Sequence, residues 1–504
     1  MSATKAHLSP NNITQLNVLL QPANHALITK TSDPDKYKSC IARWSSAAIK
    51  EAGAVLVPET MEAVQIAVKF ASQNNIDLAV RGGGHSTSAS SSTDGGLLID
   101  LGRSSKFTQV TVDQSKKHLH VGGGAIWGQV DDAGFAAGLA TVGGTVADTG
   151  VGGLTLGGGY GFLSGKLGLT IDNLVSVTLV TANGDSLTVN KDENAELFWA
   201  LRGAGHNFGV AVEFVLQGHA YGTGPAEERE AGGADGGQAY AGMLIFSPDK
   251  LDPVITLMNK MYGVGGTVGT SGAGGFAFAR PPPMGGAVVI ICPVIWHGDE
   301  ASGRAAFQEL IDLGPIVEDV KMIDYPGINR LFQFAPQIRA SMKGLTFTLP
   351  MRNEFAQQVL ASYTKFTDSV QDASDSLVLF ELFDPTVVDA KATNTDMAFS
   401  NRGHHFNGMA GSVWQKEEND QTCRLWGREV AALFQQELEQ NRGAASTTVV
   451  PNNTDAVMMY GNYEQSHDRA RSVFGANYER LQKLKAQYDP TNVFNKQFRI
   501  EPQA

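Results

Sequence analysis

The stretch Ile76–Thr87, IDLAVRGGGHST, decides how the rest of the chain is read. Ile76 to Val80 is a short apolar run of strand type, bounded upstream by Asn74-Asn75, and it feeds directly into three successive glycines. Lacking side chains, Gly82, Gly83 and Gly84 let the backbone come close to a bulky ligand. Their consecutive N–H groups make a concavity suited to an anion such as a pyrophosphate. His85 follows at once, beside whatever the loop holds. A neutral imidazole is a competent nucleophile, so His85 is a candidate for covalent attachment as well as an ordinary polar loop residue.

Working outward, apolar residues at helical spacing from Pro58 to Asn74 predict a helix ahead of the strand, with Pro58 and Glu59 at its start. Gly96 to Leu101 predicts the next strand, so the glycine loop is held between two. Phe107–Val112 and His118–Val121 predict a hairpin around Asp113-Gln114-Ser115-Lys116, followed by a helix over Ala125–Ala137. Val175–Thr181, the turn Asn183-Gly184 and Leu187–Val189 predict a second hairpin. Asp192–Leu201 reads as a helix and Gly209–Leu216 as a strand. This order is α+β.

A second glycine-rich segment runs from Gly143 to Gly161. A set of tight turns or a flexible linker is the plain alternative. Its glycines alternate with Val, Leu and Tyr rather than Ser, which favours a packed, close backbone approach. No strict G-x-G-x-x-G occurs, so a dinucleotide bound here is not held by the Rossmann fingerprint. Composition shifts to glycine and charge between Ala220 and Ala241, which places a boundary there. Beyond it strands such as Ala287–Val294 and Ser376–Phe383 alternate with helices such as Ser302–Leu313 and Asp420–Gln440. The tail predicts a helix over Phe474–Tyr488, with Tyr478, Leu481, Leu484 and Lys485 on one side and a stop at Asp489-Pro490.

The formal net charge of -12 gives no basic footprint for nucleic acid or an anionic membrane, so neither is expected as a partner. No stretch approaches the ~20 apolar residues of a membrane-spanning helix. No signal peptide is visible, and a cytoplasmic location is expected. Cys40, Cys292 and Cys423 are widely spaced and odd in number, which fits a reducing compartment without a disulfide framework. His404-His405 would point to opposite faces of a strand, and no metal is expected.

Four blocks in this order carry a specific resemblance: RGGGHS at 81–86, GGTVADTGVGGLTLGGGYG at 143–161, DNL at 172–174 and RGAGHNFGV at 202–210. They resemble the FAD-binding domain of the vanillyl-alcohol oxidase/p-cresol methylhydroxylase superfamily. Tyr460-Gly461-Asn462-Tyr463 and NYERLQKLKAQYDPTNVF at 477–494 are similar to the C-terminal segment of its berberine bridge enzyme branch. The resemblance implies an α+β fold with a two-part FAD-binding domain (PCMH-type) and a substrate domain whose antiparallel sheet is covered by helices. The expected divisions are 1–222 for the FAD domain (core about 45–220), 223–455 for the substrate domain, and 456–504 for a segment returning to the first.

The resemblance also assigns residues. Arg81, Gly82, Gly83, Gly84, His85, Ser86 and Thr87 would grip FAD, with His85 joined to its 8α position. Gly144, Thr145, Thr149, Gly152, Gly153, Gly158, Gly161 and the backbone at Val210 would line the remainder. Many members add a second link from a cysteine in a Cys-Pro-Thr-Val-Gly-Val-Gly-Gly run. Val146 stands at that cysteine's place, so attachment through His85 only is expected, as in the 6-hydroxy-D-nicotine oxidase-like members. Thr149 occupies the position thought to control oxygen access. Tyr463 would lie over the flavin and handle the substrate proton. A phenol with an ordinary pKa near 10 needs help at neutral pH. His405, Asn407 and Glu381 are the candidate partners, the first two sharing a strand face with Met409.

The expected activity is removal of hydride from a C–H next to a hydroxyl or amine of a small organic substrate, with O2 reduced to H2O2. A natural-product intermediate is favoured over an extracellular carbohydrate. A dehydrogenase with another acceptor, and a cyclase or pericyclase with FAD mainly structural, are the alternatives.

Overall fold

Thr60 starts the first long helix of the glycine-loop region. In extended conformation, its hydroxyl accepts the backbone N–H of Ala63, so the helix spans Met61–Gln73 rather than beginning at Pro58. Glu59 is used elsewhere, its carboxylate accepting the backbone N–H groups of Ser105 and Lys106. The computed structural model describes residues 5–223, 228–332, 338–444, 459–464 and 470–503.

Ala63, Val64, Ala67, Val68 and Ala71 bury one face of that helix. They join a core with Leu78, Leu97 and Ile99 from a three-stranded parallel sheet, in which Leu97–Asp100 lies between Ala54–Leu56 and Leu78–Arg81. The loop Gly82–Ser86 leaves the end of Leu78–Arg81, as the sequence predicts.

A five-stranded antiparallel sheet follows, ordered Val110–Asp113, His118–Gly122, Val210–Gln217, Leu174–Val180, Ser186–Asn190. Both predicted hairpins are present at its edges, and the strand predicted over Gly209–Leu216 fills its centre. The helices Trp127–Ala136 and Ala195–Ala204 pack against it through Trp127, Val130, Leu197 and Leu201. The Gly143–Gly161 segment is not a plain set of turns, because Val151–Leu156 forms a short helix whose Val151 enters the same core.

The third sheet has seven strands, all neighbours antiparallel, ordered Val317–Asp324, Gln238–Phe246, Val289–Trp296, Gly272–Ala279, Leu377–Phe383, Phe406–Trp414, Arg339–Phe347. Alternation along its strands gives it two different faces. Phe276, Phe278 and Phe380 point into a core closed by the helices Leu251–Met261, Glu300–Ile311, Asn353–Ser369 and Asp420–Ala444. Ala277, Ala279, Leu379 and Glu381 point the other way, into a cavity. The stretch 220–241, read from composition as a boundary, is ordered in its described part. His219–Ala220 pairs with Leu139–Ala140, Ala231 is fully buried, and the large sheet begins at Gln238.

The tail helix predicted over Phe474–Tyr488 is broken. Ala470–Phe474 ends in a tight turn at Gly475–Asn477, where Gly475 has φ +49°, and the helix resumes as Tyr478–Tyr488. Leu481 and Leu484 pack with Leu197 and Leu201, returning the chain end to the five-stranded unit. Among the described residues no helix is long and apolar enough to cross a membrane.

Candidate active site

The two glycine-rich segments form one wall because neither has side chains where they touch. A Cβ on Gly83 would stand 2.5 Å from the backbone N of Gly150, and a Cβ on Gly150 would stand 2.5 Å from the N of Gly83. Gly84 takes φ +74°, a left-handed conformation that favours glycine. Arg81 lies behind the loop. Its Nη1 donates to both oxygens of Asp100 at 2.8 and 3.0 Å, and the carboxylate is fully buried. Arg81 is therefore a brace for the loop, and it is not among the residues that line the cavity.

The cavity enclosed between this wall and the seven-stranded sheet measures about 730 Å³. Gly82, Gly83, Gly84, His85, Ser86, Thr87, Thr145, Thr149, Gly152, Gly153 and Val210 all line it. Two observations fit the wall to a dinucleotide such as FAD. A Cβ on Gly153 would meet nothing within 4 Å, so the backbone there opens onto free space. The buried Ser91 hydroxyl on the same wall has no hydrogen-bond partner among the described residues, which leaves a polar group for a ligand.

Gly144, Gly158 and Gly161 are not on the wall. A Cβ on Gly144 would strike Leu154 and Trp127, one on Gly158 the ring of Phe399, and one on Gly161 the carbonyl of Gly143. Close packing accounts for glycine at these three positions.

His85 is held on two sides. Its ring stacks on Trp44 with centroids 4.7 Å apart, and its Nε2 lies 3.0 Å from Asp148 Oδ1. Val146 lines the cavity where a cysteine would stand in the resembled run. Cys40, Cys292 and Cys423 are all buried and none lines it.

On the opposite wall, Leu379 pairs with Met409 across the sheet, and Glu381 follows two residues on along the same face. Tyr463 reaches it from the short turn Gly461–Tyr463. Its hydroxyl donates to Glu381 Oε1 at 2.9 Å. Asn462 fixes that turn, its Nδ2 donating to the Leu154 carbonyl at 3.0 Å and to the Tyr460 hydroxyl at 2.9 Å. Burial pushes the Glu381 carboxyl up to about 7, the bond from Tyr463 opposing that rise. Burial, and next the charge of Glu381, push the Tyr463 phenol well above its ordinary value. The phenol therefore keeps its proton at neutral pH, and the carboxylate is the group able to take one.

The other candidate partners lie elsewhere. Asn407 donates to Asn401 Oδ1 at 3.1 Å in a network that also receives the Tyr160 hydroxyl, and His405 is buried with burial depressing its pKa to about 4. Neither is among the residues that line the cavity. Asn407 stands in strand Phe406–Trp414 opposite Thr346, and His405 precedes that strand. His404 bonds Asp389 at 3.1 Å, and no cluster of three or more potential metal ligands exists among the described residues. Sequence reasoning missed Trp44, Asp148 and His206, whose Nε2 lies 2.9 Å from the Gly153 carbonyl. Asp148 left a signal as the one carboxylate inside the second glycine segment, and His206 as the histidine of RGAGHNFGV at 202–210.

Comparison with known proteins gives the family. Residues 52–190 match the family described as FAD binding domain, and residues 452–501 the family described as Berberine and berberine like. The FAD-linked oxidoreductase pgmH of Aspergillus terreus is 30% identical over 495 residues, covering 94% of this chain and 93% of that protein. The (R)-6-hydroxynicotine oxidase of Paenarthrobacter nicotinovorans is 41% identical over 150 residues, which is 30% of this chain and 32% of that enzyme. The glucooligosaccharide oxidase of Acremonium strictum, described as carrying a 6-S-cysteinyl, 8α-N1-histidyl FAD, superposes with a TM-score of 0.77 at 19% identity, covering 97% and 99% of the two chains. Fold and site define a flavin-dependent oxidoreductase. The chain belongs to the FAD-linked oxidoreductases of the berberine bridge enzyme-like family.

Proposed function

We propose that the protein is an oxidase whose FAD is tethered through His85 alone, and that Glu381 and Tyr463 together take the proton of a hydroxyl or amine as the neighbouring C–H gives up hydride. The hydrogen bond from Tyr463 to Glu381, on the wall facing the glycine cradle, carries this reading. Gly82–Thr87, Thr145, Gly152, Gly153 and Val210 would hold FAD, which when bound would supply the hydride acceptor and, in an oxidase, the route of the electrons to O2. Tyr463 binds the substrate heteroatom through its hydroxyl. As that hydroxyl receives the substrate proton, its own passes to Glu381 Oε1, so the phenolate is never the resting base. Thr149, on the wall beside Val146, is compatible with oxygen entry.

The sheet face around Glu381 is apolar, formed by Ala277, Ile291, Leu377, Leu379, Met409 and Val413. A sugar leaves several hydroxyls unpaired against such a wall, each costing about 1–3 kcal/mol. An alcohol or amine with an apolar body fits it, in keeping with a natural-product intermediate. Bleaching of the flavin absorbance under anaerobic conditions tests this. Apolar alcohols or amines are expected to bleach it and oligosaccharides are not; preferential bleaching by oligosaccharides rules the substrate class out. Peptide mass spectrometry tests the tether: one flavin adduct is expected, on the His85 peptide, and an adduct on any cysteine peptide removes the claim.

A further inference from the structure

We propose that Asp148 is the positioning residue that lets His85 form its bond to FAD, an assignment that rests on His85 being the tether. Asp148 Oδ1 sits 3.0 Å from His85 Nε2, while Trp44 stacks on the imidazole and the glycine backbones lock both loops together. A carboxylate can only accept, so Nε2 carries the hydrogen of the neutral ring and Nδ1 carries the lone pair. Nδ1 has no partner among the described residues and is free to act as the nucleophile. Burial pulls the Asp148 carboxyl up, but the hydrogen bond and charge of His85 outweigh it and hold the group below the usual carboxylate range. In the run Cys-Pro-Thr-Val-Gly-Val-Gly-Gly, Asp148 stands where the threonine would be. This chain thus lacks a second tethering thiol and places a carboxylate against the remaining tether.

The bond-forming step needs such a group. Nδ1 forms one C–N bond to the carbon of the flavin 8-methyl group, which gives up one hydrogen as a proton. The alkylated ring is a cation until Nε2 releases its own proton. Asp148 offsets that charge and relays the proton to water, its side chain being 53% exposed. The two electrons left on the flavin ring leave with the two protons to O2, giving H2O2.

Asp148→Ala and Asp148→Glu are purified beside the wild type and denatured in acid, and the flavin that stays with each chain is measured and located by peptide mass. Asp148→Ala is expected to bind FAD stoichiometrically but to tether it at a rate roughly tenfold or more below wild type, the weight of one charge-assisted hydrogen bond. Asp148→Glu is expected to keep most of the tether, and excess formate to speed the tethering of Asp148→Ala on aerobic incubation. The assignment is overturned if Asp148→Ala is tethered as fast as wild type, if it loses FAD altogether, or if the glutamate and formate restore nothing. A wild-type chain without an adduct on His85 removes the underlying reading itself, and that result is visible before any variant is made.

Discussion

Glu381→Gln is expected to slow reduction of the bound flavin by substrate about 10²–10⁴-fold in anaerobic single turnover, the usual weight of a positioned general base. The amide keeps the shape and still accepts a hydrogen bond from Tyr463, but it cannot take the proton. Tyr463→Phe breaks the same relay at its other end and should cost a similar factor. The double variant should cost little more than either alone, because residues acting as a unit are not additive. A near-wild-type rate for Glu381→Gln removes the carboxylate from the reaction. The pH dependence follows from the same environment. Burial holds the Glu381 carboxyl at about 7, so it is protonated and inactive below that pH and ionised above it. Flavin reduction should therefore rise with pH through about 7, and the rise should vanish in Glu381→Gln. Stability runs the opposite way. A folded-state pKa raised above the ordinary 4.5 gives stability that is present below 4.5 and lost as pH rises through 7. Glu381→Gln should accordingly raise the thermal midpoint at pH 8 and leave it little changed at pH 4. That pairing of a destabilising charge with a catalytic gain is typical of active sites.

The glycine loop was legible because its chemistry is local. Three glycines after a strand have few other uses, and the structure puts Gly82–Gly84, His85, Gly152 and Gly153 on one wall. Gly144, Gly158 and Gly161 stand in the same motif, but each accommodates a neighbouring side chain or carbonyl, and no spacing rule separates a glycine that admits a ligand from one that admits Phe399. The partner of Tyr463 was undecidable for a different reason. Glu381, His405 and Asn407 lie on or just before two adjacent strands, and which of them meets Tyr463 depends on sheet register and on where the turn Gly461–Tyr463 docks. The single charge in LVLFELF at 377–383 was the legible sign of Glu381, since burying a carboxylate is costly unless it is paired. Trp44 reaches the site through folding of a distant segment and left no local trace, whereas His206 stood inside the block RGAGHNFGV at 202–210 without a role read for it. The broken tail helix was hidden for lack of a proline; Gly475 alone, with its positive φ, marks the break.

The tail also carries the largest expected loss of stability away from the reaction. Lys485→Met is expected to lower the unfolding free energy by about 3–5 kcal/mol, the range for breaking a buried ion pair by removing one partner. Lys485 was readable from sequence only as a member of a helix face. In the structure its side chain is fully buried, and its Nζ donates at 2.6 Å to each of three acceptors, the Asp489 carboxylate and the carbonyls of Asn207 and Phe494. One ammonium thus satisfies its three donors and joins the tail helix, the segment after its stop, and the turn that follows helix Ala195–Ala204. Asp489 in turn accepts the backbone N–H groups of Val493 and Phe494, so it fixes the chain beyond Pro490. Methionine fills a similar volume but leaves a buried carboxylate without its cation and two carbonyls without a donor. Thermal and chemical denaturation of the holoprotein would measure the loss. Lys485→Met/Asp489→Asn should recover part of it, because the stranded charge is gone while the side-chain oxygen still accepts from the backbone. If Lys485→Met unfolds within experimental error of wild type, the ion pair is not what fastens the tail. If the double variant is no better than the single, the loss comes from the orphaned carbonyls rather than from the charge. Asn207 lies next to His206, whose ring is bonded to Gly153 on the cofactor wall, so loosening Lys485 should also weaken retention of flavin in any variant that lacks the His85 tether.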